Sequence, residues 1–247
     1  MLWEQGVAVD FVHSDDIRTD GAAESDSRHR LLVLPFPLAV SDDVFTRLAR
    51  FVENGGFVVA EACPGRLTRY GYANRGELSA AATSLFAVRH RTIRMIREPK
   101  HGSRWTPRER TWGEYADYAP CLGVGEFADC TISPALYLET FVPTEAEIVF
   151  RYQGEPVGTI RRTGSGTCLL AGTLVGHQGT AYRAADGGTF IKRVLDLAGV
   201  PTLGCETMLV DNPGVLVRRR VAEKHEAWIL SNPSEETLSV RLNLSGF

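Results

Sequence analysis

The stretch LLVLPFPLAVSDDVFTRLARFVENGGFVVAEACPGR, residues 31–66, constrains the fold more than any other. Two short runs, Leu31–Leu34 and Phe57–Ala60, are apolar at every position rather than at alternate ones. That pattern belongs to strands buried on both faces, as in parallel sheets sandwiched between helices. Between them Ser41 is placed to cap a helix, and Asp42 and Asp43 sit where the helix dipole favours negative charge. Val44, Leu48 and Val52 then recur on one face until Asn54-Gly55-Gly56 stops the helix. Strand, helix, strand of this kind predicts an α/β domain. Pro35, Pro37, Pro64 and Gly65 punctuate the strand ends.

Other segments extend this reading. Residues 2–6 read as the last turn of a helix closed by Gly6, and VAVDFV (7–12) as a strand. Residues 19–29 are polar and read as a surface loop, 76–87 as a helix, and 88–96 as a strand without a strongly apolar face. From 136 onward, strand runs alternate with tight turns at Gln153-Gly154 and Gly164-Ser165-Gly166, and a helix follows over 189–198. After residue 203 the runs VLVRRRV, AWILSN and LSVRLNL suggest three antiparallel strands. A three-stranded piece of about 40 residues buries little alone. It is expected to lean on the larger domain or to be the front of a longer module. The expected division is thus 1–202 and 203–247.

The bulk numbers exclude several functions. A net charge of −3 argues against a general nucleic-acid or membrane-surface binder. No apolar run approaches the roughly 20 residues that span a bilayer, and MLWEQGVAVD lacks the pattern of a signal peptide. The five cysteines are widely spaced, without a CxxC pair or zinc-like Cys/His spacing. The expectation is reduced thiols, a cytoplasmic location, and no metal or cofactor.

Cys63 ends a strand at a sharp turn, where α/β hydrolases keep a nucleophile. His177, at a later strand end, resembles in position the histidine of class I glutamine amidotransferases, so Cys63 and His177 form the candidate catalytic pair. The chemistry fits poorly. The residue after an elbow nucleophile donates its N–H to the oxyanion, and here that residue is Pro64, which has none. Glu61 stands where the tight turn prefers glycine. The glutamate that orients the amidotransferase histidine is replaced by Gly179. Glu61 and Arg66 are expected instead to line a crevice at the carboxyl ends of the strands, or to pair with each other. Residues 97–118 interleave arginines with Trp105, Trp112 and Tyr115. This mixture could bind a polyanion or a sugar, or could be a long ordered surface loop packed on a neighbour.

In order and spacing, LWEQGVAVDFVHSDDI, residues 31–66 and ALYLETFVPTEAEIVFRYQGEPVGTIRRTGSGTCLLAGTLVG resemble the trimerisation domain of β-galactosidases of glycoside hydrolase family 42. The run GVLVRRRVAEKHEAWILSNPSEETLSVRLNLSGF resembles the small C-terminal β domain that follows it there. The resemblance implies a flavodoxin-like, class I amidotransferase-like fold: a mostly parallel sheet with helices on both faces, then a small antiparallel β domain. It also implies a homotrimer that helps wall an active site carried elsewhere. In that family two carboxylates on a (β/α)8 barrel do the hydrolysis. Such a barrel takes about 250 residues of alternating strand and helix, and no such series is present. Galactoside contact is therefore expected only through a barrel outside this sequence. In a flavodoxin-like order VAVDFV would be the second strand, and the first, central strand would be missing. VAVDFV and LLVL would then either pair directly or flank a gap.

Overall fold

The computed structural model describes residues 2, 5–19, 29–68, 70–74, 78–96, 119–181, 185–201, 215–222, 225–232 and 235–240. Helix α1 (Ser14–Thr19) precedes strand β1 (Leu31–Leu34), helix α2 (Asp42–Glu53) and strand β2 (Phe57–Ala60). Helix α3 (Ala80–Phe86) leads into β3 (Val88–Met95). The short β4 (Cys121–Gly123) and β5 (Thr131–Ile132) come next, then β6 (Tyr137–Pro143), β7 (Glu147–Tyr152), β8 (Glu155–Thr163) and β9 (Gly166–Ala171). Helices α4 (Val175–Ala181) and α5 (Ala185–Leu197) and the hairpin β10 (Leu216–Ala222) and β11 (His225–Ser231) complete the order.

One seven-stranded sheet runs β1-β2-β9-β8-β7-β4-β5. The pairs β1–β2 and β2–β9 are parallel, with Leu31 opposite Phe57 and Phe57 opposite Thr167. Every later pair is antiparallel. The α/β class and the helices on both faces hold, but the parallel part is confined to three strands, where a mostly parallel sheet was expected. The cause is local. Gln153 and Gly154, with φ of 49° and 88°, close β7 onto β8 in a two-residue turn. Such a turn joins antiparallel neighbours, whereas a parallel return needs a crossover.

Strand β2 is buried at all four positions, as its unbroken apolar run requires. Phe57 and Val59 face a core shared with Leu169, Phe127, Phe150 and Phe190. Val58 and Ala60 face a second core with Leu170, Phe45, Leu48, Phe51 and Phe86 from α2 and α3. Alternate residues of one strand thus feed the two faces. The Phe127, Phe150 and Phe190 rings meet at centroid distances of 5.2 to 6.0 Å, within the range of favourable aromatic pairs.

A separate two-stranded ladder pairs β3 with β6 antiparallel. Leu138 to Phe141 of β6 are all buried, because β6 also lies against the main sheet. There Glu139 N–H donates to Gly172 O (2.7 Å), and Gly172 N–H donates to Val157 O (2.6 Å). A Cβ on Gly172 would come within 2.2 Å of the Glu139 carbonyl oxygen, so this approach requires glycine.

One expectation fails. VAVDFV forms no strand; residues 7–13 are irregular and join no ladder. Val7 is buried and Ala8 exposed, but the alternation breaks at Phe11, which is exposed on the face that buries Val7, and the Val7 N–H donates to Leu2 O (3.3 Å) rather than to a strand. Of the third C-terminal strand expected at LSVRLNL, residues 238–240 form no strand and the remainder lies outside the described residues. Ser41 does occupy the N-cap of α2, though its side chain accepts no capping bond. No helix among the described residues is long and apolar enough to cross a membrane.

Candidate functional site

The carboxyl ends of the parallel strands β1 and β2 are where the fold would place a ligand. Each ends in a sharp turn. After β1, Phe36 adopts φ 47° between two prolines, and after β2, Cys63 adopts φ 67° ahead of Pro64 and Gly65. Backbone bonds knit the turns together: Gly65 N–H donates to Pro37 O (2.9 Å) and Leu67 N–H to Leu38 O (2.8 Å). The Phe36 ring stacks on Tyr137 of β6 at 5.4 Å.

Glu61, one residue past β2, is buried at 7% exposure. Its Oε1 accepts the Gly176 N–H at the start of α4 (2.6 Å). The Phe36 backbone also bonds the carboxylate. One side chain thereby fastens the ends of β1 and β2 to the first turn of α4, where helix N–H groups lack partners of their own. Burial is the main influence and pushes the Glu61 carboxyl above its ordinary range; the Gly176 and Phe36 bonds oppose it.

Cys63 is buried at 1% exposure. Its N–H donates to Glu139 Oε2 (2.8 Å), and Glu139 itself is fully buried on β6. The other oxygen, Oε1, lies 2.9 Å from His90 Nδ1 on β3 and 3.5 Å from Arg66 Nη1. The backbone N–H at the turn is thus committed to a carboxylate, and that of Pro64 does not exist. Burial, reinforced by the nearby Glu139 charge and partly offset by Arg66, pushes the Cys63 thiol up to about 12. At neutral pH such a thiol is almost wholly protonated, while nucleophilic attack needs the thiolate.

The sequence-predicted residues therefore separate. Arg66 turns to Glu139 and His90, Glu61 turns to Gly176, and no Glu61–Arg66 ion pair forms. Arg66 and Cys63 line a cavity of about 290 Å³ with Leu38, Ile93, Arg94, Met95 and Tyr137, and Glu61 does not. His177 lies in the first turn of α4, next to Gly176. Trp105, Trp112 and the rest of 97–118 lie outside the described residues. Sequence reasoning missed Glu139 and His90. The available signal was Glu139 as the one charged residue in the apolar run Leu138 to Val142. Among the described residues no group of three or more His, Cys, Asp or Glu is placed to hold a metal.

The sequence profile of the β-galactosidase trimerisation domain matches residues 1–183. A search of curated proteins finds no match. Solved structures with the same fold include Gan42B, a GH42 β-galactosidase from G. stearothermophilus, at 18% identity and a TM-score of 0.67, covering 95% of this chain and 29% of that one. The β-galactosidase of Rahnella sp. R3 gives 18% and 0.70, covering 98% and 32%. That of Bacillus circulans sp. alkalophilus gives 17% and 0.68, covering 94% and 30%. The chain spans about a third of the length of these structures.

Two outcomes follow from the geometry. An acid whose folded pKa is raised binds its proton more tightly when folded. Its stabilising contribution is therefore full below its unfolded value of 4.5 and is lost as pH rises through the folded value. Urea denaturation should thus show the native chain losing stability relative to Glu61→Gln as pH rises above 4.5; a flat difference contradicts this. Glu61→Ala should cost about 1–3 kcal/mol for each amide left without an acceptor. Separately, iodoacetamide at neutral pH should leave Cys63 unlabelled in the folded chain and label it in urea. Rapid stoichiometric labelling of folded protein contradicts the thiol assignment.

Proposed function

The chain belongs to the β-galactosidase trimerisation domain family, and from that premise we propose that it is the non-catalytic oligomerisation portion of a β-galactosidase-like glycoside hydrolase. It packs subunits into a homotrimer in the cytoplasm and helps wall an active site on a (β/α)8 barrel outside these residues. Residues 1–202 form the trimerisation-type domain and 203–247 the start of a small β domain. Any galactoside reaches it only through that barrel. It is not itself the enzyme.

The observation that carries this reading is the family match over residues 1–183. The state of the crevice supports it. The positions that chemistry would use in this architecture hold Glu61 bonded to backbone, Cys63 with its N–H bonded to Glu139, and Pro64 with none to offer. A cysteine hydrolase built on Cys63 and His177 would need a thiolate and a free oxyanion donor at that turn. Both are disfavoured by these contacts.

Light scattering after size exclusion tests the assembly. A particle of three times the 27.1 kDa chain mass is expected, holding on dilution into the low micromolar range. A strictly monomeric chain at high concentration contradicts the homotrimer. The isolated chain is also expected to leave a nitrophenyl galactoside unhydrolysed.

A further inference from the structure

The backbone donors of the crevice are engaged, Cys63 N–H by Glu139 and Gly176 N–H by Glu61. A cavity of about 290 Å³ nevertheless remains there. Ligand pockets run from about 300 to 1,000 Å³, so this one suits a small molecule rather than a drug-sized one. The buried Cys63 marks its floor, and Met95, 77% exposed, stands at its mouth. Leu38, Ile93 and Tyr137 wall it, and all three pack on the apolar cluster of Ala62, Cys63 and Leu174.

Arg66 lines the same cavity with donors unused. Its guanidinium reaches Glu139, which stands directly across the β3–β6 ladder from Ile93. Nη1 lies 3.5 Å from Glu139 Oε1 and 3.5 Å from His90 Nδ1, both beyond the usual length of a hydrogen bond. Nε and Nη2 have no acceptor among the described residues. The side chain is only 21% exposed, so water reaches little of it. A half-buried cation with most of its five N–H donors unmet is costly, and a ligand that supplies the acceptors relieves that cost.

Glu139 has shorter partners of its own. The Cys63 N–H lies 2.8 Å from one of its oxygens and His90 Nδ1 lies 2.9 Å from the other. Arg66 can therefore keep Nη1 toward Glu139 while its Nε and Nη2 edge serves a second carboxylate. That edge presents two parallel N–H groups, the geometry of a two-bond pair with a carboxylate.

We propose that this cavity binds a small monocarboxylate, with its apolar body against Leu38, Ile93 and Tyr137 and its carboxylate on the Nε and Nη2 edge of Arg66. A single negative charge fits best. Glu139 stands behind the guanidinium, and a phosphate dianion would meet more repulsion from it over the same two bonds. A neutral sugar would bring no charge to the guanidinium, so this is not a galactoside site. The inference does not rest on the trimer reading, since a monomeric chain keeps the cavity.

The test uses benzoate as the probe and benzamide as its neutral counterpart of the same shape. The chain has only three methionines, Met1, Met95 and Met208. Isotopic labelling of their methyl groups gives a simple NMR spectrum, and Met95→Leu assigns the signal at the cavity mouth. Benzoate should move the Met95 methyl saturably, with a Kd on the order of 0.1–1 mM for a ligand of this size. Benzamide should bind at least about tenfold more weakly, because the charge-assisted pair is lost. Arg66→Lys keeps the charge without the planar edge and should weaken benzoate roughly tenfold. The benzamide comparison keeps the test decisive if that variant folds poorly. An unmoved Met95 methyl at about 20 mM benzoate, well above that Kd, overturns the proposal. Equal affinity for benzoate and benzamide also overturns it, since the cavity is then an apolar cleft. Tighter binding of inorganic phosphate than of benzoate overturns it too, since the site is then a general anion site.

Discussion

Glu139 is a carboxylate with no exposure to solvent, and the carboxyl end of the sheet is arranged around it. A buried charge is costly unless each of its oxygens finds a donor. Here His90 from β3 and, from the turn after β2, Arg66 and the Cys63 N–H converge on it, two places well apart from each other and from Glu139 in sequence. The same bond explains why Cys63 can hold φ 67°. A non-glycine residue in that region costs of order 1–3 kcal/mol and persists only where its surroundings over-determine it. Glu61 makes a second fastening on the α4 side. Between them the two carboxylates tie β1, β2, β6 and α4 into one block.

That block bears on function. In open α/β sheets the strand ends are the usual ligand site because loop backbone and helix N-termini there offer unused donors. In this chain those donors are used internally. A side-chain carboxylate takes the amide of α4 that an anionic ligand would otherwise take. The strand-to-elbow outline of VVAEACPGR is retained while the groups that chemistry would use are engaged or missing. Such a site suits a rigid element that presents surfaces to other polypeptide, consistent with membership of a trimerisation family.

Much of the parallel core was legible because its signals are local. The unbroken apolar runs of β1 and β2, the charges in the first turn of α2 and the Asn54-Gly55-Gly56 stop each have one physical meaning. The hairpins from β7 to β9 were legible for the same reason, through their turn residues. What was missed depends on distant partners. The alternation of 7–12 is strand-like, but a strand exists only with a neighbour. Strands β4 and β5 are too short to leave a periodic signal. A Glu61–Arg66 pair was a reasonable expectation from proximity in sequence; the fold instead offered each a distant partner, Gly176 and Glu139. Cys63 does sit at a strand end, yet its chemistry is set by burial and by Glu139, which no local pattern reveals; His177, expected at a strand end, lies in the first turn of α4.

The account turns on buried carboxylates that fasten the crevice, and the stability of Glu139 variants tests this most directly. Removing one partner of a buried charge cluster leaves the others unpaired, so Glu139→Ala should cost on the order of 3–5 kcal/mol in urea denaturation. Glu139→Gln, which keeps an acceptor for the Cys63 N–H, should recover part of that loss. A cost for Glu139→Ala within about 0.5 kcal/mol, as for an ordinary surface position, would contradict it.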